Sequence, residues 1–258
     1  MRNRHYEYRI LLLREQDFAN KSITFAIVIS KSQIKLIRSL ELRKYRKAEQ
    51  LFVAEGPKVV NDLRAAGFEP RLIVEGADVE KVSFLQHPQG ILAVFEIPQP
   101  HNEPLSGDEL YLALDGVQDP GNLGTIIRLA DWFGIRRIFC SANTADAYNP
   151  KVVQATMGSL ARVSITYTNL PELLRNRPEG MPVYGTLLDG TSLYEQPLSP
   201  RGFIVMGNEG NGLSGEVRSL VTHRLLIPNY PAGVATAESL NVAIATAIVC
   251  AEFRRRNG

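Results

Sequence analysis

The stretch YLALDGVQDPGNLGTIIRLADWFGIRRIFC (111–140) decides how the chain is read. Its first seven residues are apolar apart from Asp115 and Gly116, the composition of a strand buried on both faces. Asp115–Gly116 and Pro120–Gly121 then force turns. Residues 123–133 carry apolar side chains at helical spacing and stop at Gly134, and RIFC (137–140) is a second short buried strand. A strand, turn, helix and strand of this length form the repeating unit of a parallel sheet.

The pattern continues to the C-terminus. VSITYT (163–168), VYGTLL (183–188), GFIVMGN (202–208) and RLLIP (224–228) read as strands. VVQATMGSLA (152–161), PELLRN (171–176), residues 214–221 and ESLNVAIATAIVCAEF (238–253) read as helices. Residues 110–258 are therefore expected to form an α/β domain with a parallel sheet covered on both faces, and such sheets bind ligands at the carboxyl ends of their strands. Upstream, residues 30–98 read as a smaller α/β unit. An amphipathic helix over 32–47 precedes the strands LFVAEG (51–56), RLIVEG (71–76) and ILAVFEI (91–97), with a helix opening at Pro57 and closed by Gly67. Pro100, Pro104, Ser106 and Gly107 mark 99–109 as a linker. Residues 1–29 are expected to be an extension outside the fold. Their apolar run ITFAIVI (23–29) is too short to span a bilayer, and Glu15 and Asp17 speak against a mitochondrial presequence.

Composition bounds the function. The 258 residues are 45% hydrophobic and 22% charged, which excludes a disordered chain and a membrane bundle. Cys140 and Cys250 are too few for a disulfide scaffold and fit a reducing cytoplasm. The four histidines are scattered, so no metal site is expected. The net charge of +2 rules out a strongly basic nucleic-acid coat but not a local patch. One exists at 31–50, where Lys31, Lys35, Arg38, Arg43, Lys44, Arg46 and Lys47 stand against Glu41 and Glu49. It reads either as a solvated helix face or as a surface that contacts phosphates.

Three stretches, each at a strand's carboxyl end, carry polar residues that an ordinary α/β core does not need. In LDGVQDPGNLGTIIRLADWFG (114–134), Asn122 sits where a helix cap belongs, and Arg128 stands three residues from Asp131. In FIVMGNEGNGLS (203–214), Gly207, Gly210 and Gly212 permit close backbone approach beside Asn208 and Glu209. This is neither GxGxxG nor a P-loop, which counts against a nucleotide-binding oxidoreductase. In LLIPNYPAGVATAESLNVAIATAIVCAEFRR (225–255), Ser239 and Asn241 open an otherwise apolar helix. Read singly, each admits a structural explanation: a cap, an i,i+3 ion pair, a solvated turn, a satisfied amide.

Taken in order, DPGNLGTIIRLADWFG, MGNEGNGLS and ESLNVAIA resemble the three motifs of the SpoU/TrmH family over residues 110–256. The members of that family are RNA ribose 2′-O-methyltransferases of the SPOUT superfamily. Residues 30–98, with AEGPKVV and HPQGILAVF, are similar to the L30e-like domain that precedes it and grips structured RNA. The resemblance implies S-adenosylmethionine as cofactor, a deep trefoil knot, a homodimer through the C-terminal domain, and ribosomal or transfer RNA as substrate. It implies catalytic-site roles for Asn122, Arg128, Glu209, Ser239 and Asn241. It implies cofactor contacts from Gly207, Asn208, Gly210, Ile227, Ser239 and Leu240, with Thr186 and Leu187 closing the site, and no membrane or metal. On this reading Lys35, Arg38, Arg43, Lys44, Arg46 and Lys47 contact RNA. The loop NYPAGVATA (229–237) is longer than the family's usual stretch.

The residue types suit the reaction. Methyl transfer from a sulfonium is an in-line displacement in which positioning supplies much of the rate. A guanidinium is rarely neutral, so an arginine there is better suited to holding a phosphate and stabilising a developing alkoxide than to removing a proton. The competing readings are a non-catalytic RNA-binding protein with a decayed methyltransferase domain and a base methyltransferase on the same fold. Retention of the whole polar set argues against the first, and the SLNVA motif against the second.

Overall fold

A computed structural model describes residues 29–99, 103–231, 234 and 237–257. Most of the 1–29 extension, the start of the linker and part of the 229–237 loop lie outside the described residues.

The N-terminal unit contains α1 (Lys31–Ser39), α2 (Arg43–Glu49), β1 (Leu51–Glu55), α3 (Pro57–Ala65), β2 (Pro70–Glu75) and β3 (Ile91–Glu96). Its strands form an antiparallel sheet in the order β1-β3-β2. Where the spacing predicts one helix over 32–47, the structure has two. α1 starts with a capping box between Ser30 and Gln33 and ends after Ser39. Arg46 of α2 donates through Nη1 to the carbonyls of Leu40 and Glu41 at 2.6 and 2.7 Å. It thereby satisfies acceptors that the helix end leaves open. Leu42, which helical spacing with Ile34, Ile37 and Leu40 would put on the apolar face of a single helix, is 51% exposed at the break. Ile29, counted above with the extension, is buried and donates its N–H to Asp78 Oδ2 at 3.0 Å.

The C-terminal unit contains β4 (Leu110–Asp115), α4 (Pro120–Trp132), β5 (Arg137–Cys140), α5 (Pro150–Ala155), β6 (Ser164–Tyr167), α6 (Leu170–Arg175), β7 (Val183–Ser192), β8 (Gly202–Gly207), α7 (Gly215–Ser219), β9 (His223–Leu226) and α8 (Val242–Asn257). Its six strands are parallel, in the order β6-β5-β4-β8-β7-β9. Every residue of β4 and β8 is buried. The two-residue period sends Leu112, Leu114, Ile204 and Met206 to one face with Ile126, Ile127 and Val249. It sends Tyr111, Ala113, Phe203 and Val205 to the other with Leu170, Leu174 and Val217. This is the α/β architecture expected from the sequence.

Boundaries moved where caps decide them. α4 begins at Pro120, capped by Asp119, and not at 123. α8 begins at Val242, so Ser239, Leu240 and Asn241 lie in the loop ahead of it. α5 ends at Ala155, and the chain then turns through Met157 (φ 51°) and Gly158 (φ 93°).

The two units share a core. Phe52, Val59, Val60, Leu63 and Phe95 from the first join Leu112, Ile126 and Val152 of the second in one apolar cluster. Phe52 packs its ring 5.0 Å from that of Tyr148. The two units are therefore in direct contact, α5 against β1 and the turn Ser159–Ala161 against α3.

Candidate active site

The carboxyl ends of β4 and β8 lie side by side, with Asp115 paired to Gly207. The loops that leave them carry the first two polar motifs. Asp119 Oδ1 accepts the backbone N–H of Asn122 at 2.8 Å, so Asp119 is the helix cap and the Asn122 amide is free for other work. Asn122 Nδ2 donates to Glu209 Oε1 at 2.9 Å, and Asn122 Oδ1 accepts from Asn241 Nδ2 at 2.8 Å. Asn241 Oδ1 in turn accepts from the backbone N–H groups of Ala243 and Ile244 at 2.9 and 3.2 Å, capping α8. A carboxylate only accepts, so Asn122 must present its NH₂ to Glu209 and its oxygen to Asn241. Each amide has one orientation that satisfies the chain. Three motifs scattered over more than a hundred residues are thus joined by side-chain hydrogen bonds.

The second loop is built on itself. Asn208 Oδ1 accepts from the N–H groups of Gly210 and Asn211 at 3.0 and 2.9 Å, and its Nδ2 donates to the Gly116 carbonyl at 2.8 Å. Asn208 and Gly212 exchange both backbone bonds at 2.9 Å. A Cβ on Gly207 would stand 2.4 Å from the Gly212 carbonyl carbon. Glycine at 207 is therefore dictated by the loop folding back on the strand, and the Asn208 side chain is spent on scaffolding. What this loop offers a ligand is main chain.

Arg128 lies exposed on α4, on the same stripe as Thr125 and Trp132. Asp131 is taken by Arg162, whose Nη2 approaches its carboxylate to 2.7 Å. Burial is the largest influence on the Asp131 carboxyl and works to raise it, but the hydrogen bonds from Arg162 and Ser159 and the charges of Arg162 and Lys58 together outweigh it and hold the group below its ordinary value. The i,i+3 pair between Arg128 and Asp131 is not made. Among the described residues Arg128 has no hydrogen-bond or ion-pair partner.

β7, β8 and β9 are neighbours in the sheet, which brings Thr186, where the β7–β9 register breaks within β7, near the strand-end residues Gly207 and Ile227. Leu187 is buried and Ile227 half-buried, while Ser239 and Leu240 are exposed in the loop before α8. Main-chain groups at these strands and the apolar side chains of Leu187 and Ile227 are of the kind that suits an adenosine carrying a thioether or sulfonium. A cleft of about 520 Å³ lies elsewhere, between residues 103–105, Arg137, Phe139, Thr166 and α6, and includes none of these residues.

In the basic run, Lys35, Arg38, Arg43, Lys44 and Lys47 are exposed. Arg38 also donates to the Lys81 carbonyl at 2.9 and 2.7 Å. Arg46 is a correction to the RNA-contact set. It is 2% exposed, and its guanidinium is bound to Asp146 and to two carbonyls, so it has no surface to offer a phosphate. Among the described residues, no helix is long and apolar enough to cross a membrane, and no group of three His, Cys, Asp or Glu residues is placed to hold a metal ion.

Comparison with known proteins supports the class these features define. The SpoU rRNA Methylase family matches residues 109–251, and the MRM3-like substrate binding domain matches residues 31–80. The chain is 32% identical over 244 residues to the 23S rRNA (guanosine(2553)-2′-O)-methyltransferase of Bacillus subtilis, covering 86% of this chain and 96% of that one. A solved structure from Porphyromonas gingivalis, assigned to the TrmH family of RNA methyltransferases, superposes with a TM-score of 0.80 at 46% identity, covering 88% of this chain and 99% of that one. An AdoMet-bound rRNA methyltransferase from Sinorhizobium meliloti superposes with a TM-score of 0.79 at 31% identity, covering 92% and 97%. The chain belongs to the SpoU family of RNA methyltransferases.

The hydrogen-bond chain makes a testable demand on Asn122. Asn122→Asp sets a second carboxylate against Glu209 with no proton to donate, and two such groups at this distance favour sharing one proton. The variant is expected to unfold at lower denaturant than wild type at pH 8. The gap should narrow toward pH 5, as protonation restores a donor. Denaturant melts of both chains across that range check it; a gap that does not depend on pH would show that Asn122 and Glu209 do not face each other.

Proposed function

We propose that this chain transfers the methyl group of S-adenosylmethionine to a ribose 2′-hydroxyl of ribosomal RNA. The observation that carries the reading is the joined set Asn241–Asn122–Glu209, with an unpartnered Arg128 on the helix that bears Asn122. The B. subtilis relative's action on 23S rRNA supports the substrate class.

The cofactor, when bound, supplies the electrophilic methyl. It is held by main-chain groups of 207–210, with Thr186, Leu187, Ile227, Ser239 and Leu240 around it. This chain's residues do the rest. Arg128, free of internal partners, holds a substrate phosphate by its planar fork and stabilises the oxygen as it loses its proton. Asn122 and Glu209 fix the floor on which the ribose sits, and Asn241 and Ser239 join it to the loop ahead of α8. Residues 30–98 choose the RNA through Lys35, Arg38, Arg43, Lys44 and Lys47, with 99–109 as the linker and 110–258 as the methyltransferase domain. In the C-terminal unit α8 packs on α4 and β8, and the family resemblance supports a trefoil knot in this C-terminal segment.

We also infer a homodimer acting in the cytoplasm. Trp132 is 83% exposed on α4, Leu240 is 51% exposed in the loop before the adjacent α8, and Ile244 is 54% exposed in the first turn of that helix. An aromatic and two aliphatic side chains so placed are what an interface core uses. Sedimentation should give twice the 28.6 kDa chain mass, and a monomer at micromolar concentration would refute the assignment.

Arg128→Ala is expected to keep the fold and calorimetric cofactor affinity while losing about 10²–10³ in methyl transfer, the usual cost of one preorganised charge-stabilising donor. Arg128→Lys separates charge from geometry: if the fork matters, Lys is nearly as poor as Ala. Full turnover in Arg128→Ala would overturn the role of Arg128, and a wild-type chain that binds RNA but transfers no methyl group would leave the non-catalytic RNA-binding reading standing.

The basic surface is tested by salt. Replacing Lys35, Lys44 and Lys47 with Ala should weaken RNA binding and flatten the slope of log affinity against log salt by roughly 0.7–0.9 for each phosphate no longer neutralised. Cofactor affinity should stay unchanged. An unaltered slope would move the RNA path off α1 and α2.

A further inference from the structure

We propose that the buried Arg46–Asp146 ion pair is a positioning device that fixes which nucleotide of the bound RNA reaches the methyl-transfer centre. The inference rests on the reading just given and adds two residues to it.

Arg46 has one role on each side. Nη1 binds the carbonyls of Leu40 and Glu41, locking α2 to the end of α1. Nε and Nη2 cross to the other unit and bind Asp146 Oδ2 at 3.1 and 2.7 Å. The exposed Arg43, Lys44 and Lys47 lie on the same helix, so the Arg46 guanidinium helps to hold the segment that presents cations to RNA, alongside Arg43 stacked over the Tyr167 ring at 5.9 Å. The second oxygen of Asp146 accepts the Tyr148 N–H at 3.0 Å, and Tyr148 packs on Phe52 of β1.

The 141–149 loop that carries Asp146 also supports the catalytic loops. Gly116 donates its N–H to Ser141 Oγ at 2.8 Å and to Thr144 Oγ1 at 3.2 Å. Thr144 Oγ1 donates to the Leu114 carbonyl at 3.0 Å, and Ala145 donates its N–H to the Val117 carbonyl at 2.9 Å. The Gly116 carbonyl accepts from Asn208, whose neighbour Glu209 holds Asn122. The basic helix and the polar set at the centre are thus fastened to one loop from opposite sides. A second fastening lies further along the interface. Arg162 reaches Asp131 of α4 at 2.7 Å and Asp62 of α3 at 3.7 Å. A Cβ on Gly158 would stand 2.2 Å from the Asp62 carboxylate. Two points of attachment prevent rotation about either.

Physical chemistry favours a geometric role for the pair over a stabilising one. Removing two charges from water costs about what their attraction returns, so a buried pair adds little stability over apolar residues of similar volume. What a guanidinium fork adds is fixed direction, which a greasy contact that can slide does not provide. In an in-line displacement a misplacement of about 1 Å costs up to about a hundredfold in rate. A rigid span between the RNA-binding surface and Arg128 therefore selects the nucleotide by distance.

The test removes both charges together, leaving no orphan: Arg46→Met with Asp146→Leu, assayed on ribosomal RNA from cells deleted for the gene. The double variant should keep cofactor and RNA affinity, lose about tenfold or more in kcat, and spread ribose methylation, mapped by sequencing, onto nucleotides beside the wild-type target. A double variant that methylates the single wild-type nucleotide at the wild-type kcat would overturn the proposal. Should that variant fail to fold, Arg46→Lys keeps the charge and loses the fork: lowered kcat with a scattered target supports positioning, while wild-type kcat at the wild-type nucleotide overturns it. An inactive wild-type chain that still binds cofactor and RNA would instead overturn the methyl-transfer reading, and the positioning role with it.

Discussion

Asn122 sits between a carboxylate and a second amide, and its place there organises the centre. With its NH₂ committed to Glu209 and its oxygen to Asn241, it ties the start of α4, the loop after β8 and the cap of α8 into one body. Each of the three segments has an independent reason to be near: a helix cap at Asp119, a strand end at Gly207, a helix start at Val242. The amide makes their relative positions specific. Because every partner in the chain has one workable donor and acceptor assignment, the network tolerates little rotation. That is the condition a displacement reaction places on its surroundings.

The sheet order makes this meeting possible. Chain order runs outward from β4 to β6, returns on the far side of β4 at β7, and places β8 in the slot beside β4. The centre of the sheet is therefore where the chain's direction of winding changes, and loops leaving adjacent strands there diverge and leave a crevice. The complete burial of β4 and β8 fixes the register that sets Asp115 beside Gly207. Gly116, with φ of 78° and Asn143 where a Cβ would go, lets the first loop leave at once, and Gly207 lets the second fold back. Asp115 Oδ2 then accepts the Ser214 N–H at 2.7 Å, so the last residue of β4 holds the start of α7.

The strands were legible because burial on both faces leaves continuous apolar runs, and the family resemblance was legible because three polar motifs keep their order. What the sequence hid is instructive in each case. Asn122 and Asp119 are both good caps three residues apart, and only the backbone shows that Asp119 does the capping. Asp131 has two arginines within reach of the fold, one local in sequence and one not, and the distant Arg162 takes it. Helical periodicity runs through 32–47 without a break. At the interruption at Leu40–Leu42 the Arg46 side chain binds the carbonyls of Leu40 and Glu41 while it reaches Asp146 of the other unit, a partner a hundred residues away that periodicity does not reveal. Arg46 itself stands in a run of cations, where nothing local distinguishes the buried one from its exposed neighbours.

That last case bears on how a chain with a net charge of only +2 binds a polyanion. Many of its arginines are consumed as staples. Arg137 donates to the carbonyls of Glu103 and Pro104, tying the linker to β5, and Arg254 donates to the Phe133 carbonyl at 2.6 Å, tying α8 to the end of α4. Arg256 joins Glu252 to the Gln196 carbonyl, and Arg162 serves Asp131 and Asp62. A guanidinium bound to several carbonyls or carboxylates has spent the donors a phosphate would need. Cations left over include the exposed ones of α1 and α2 and, on α4, Arg128. Counterion release depends on such free cations and not on the formal total. The same residue type therefore divides by partner: where an arginine is satisfied within the chain it sets distances, and where it is not it is available to RNA. Arg46 and Arg128 are the two extremes of that division, and the fold places the loops of the centre between them.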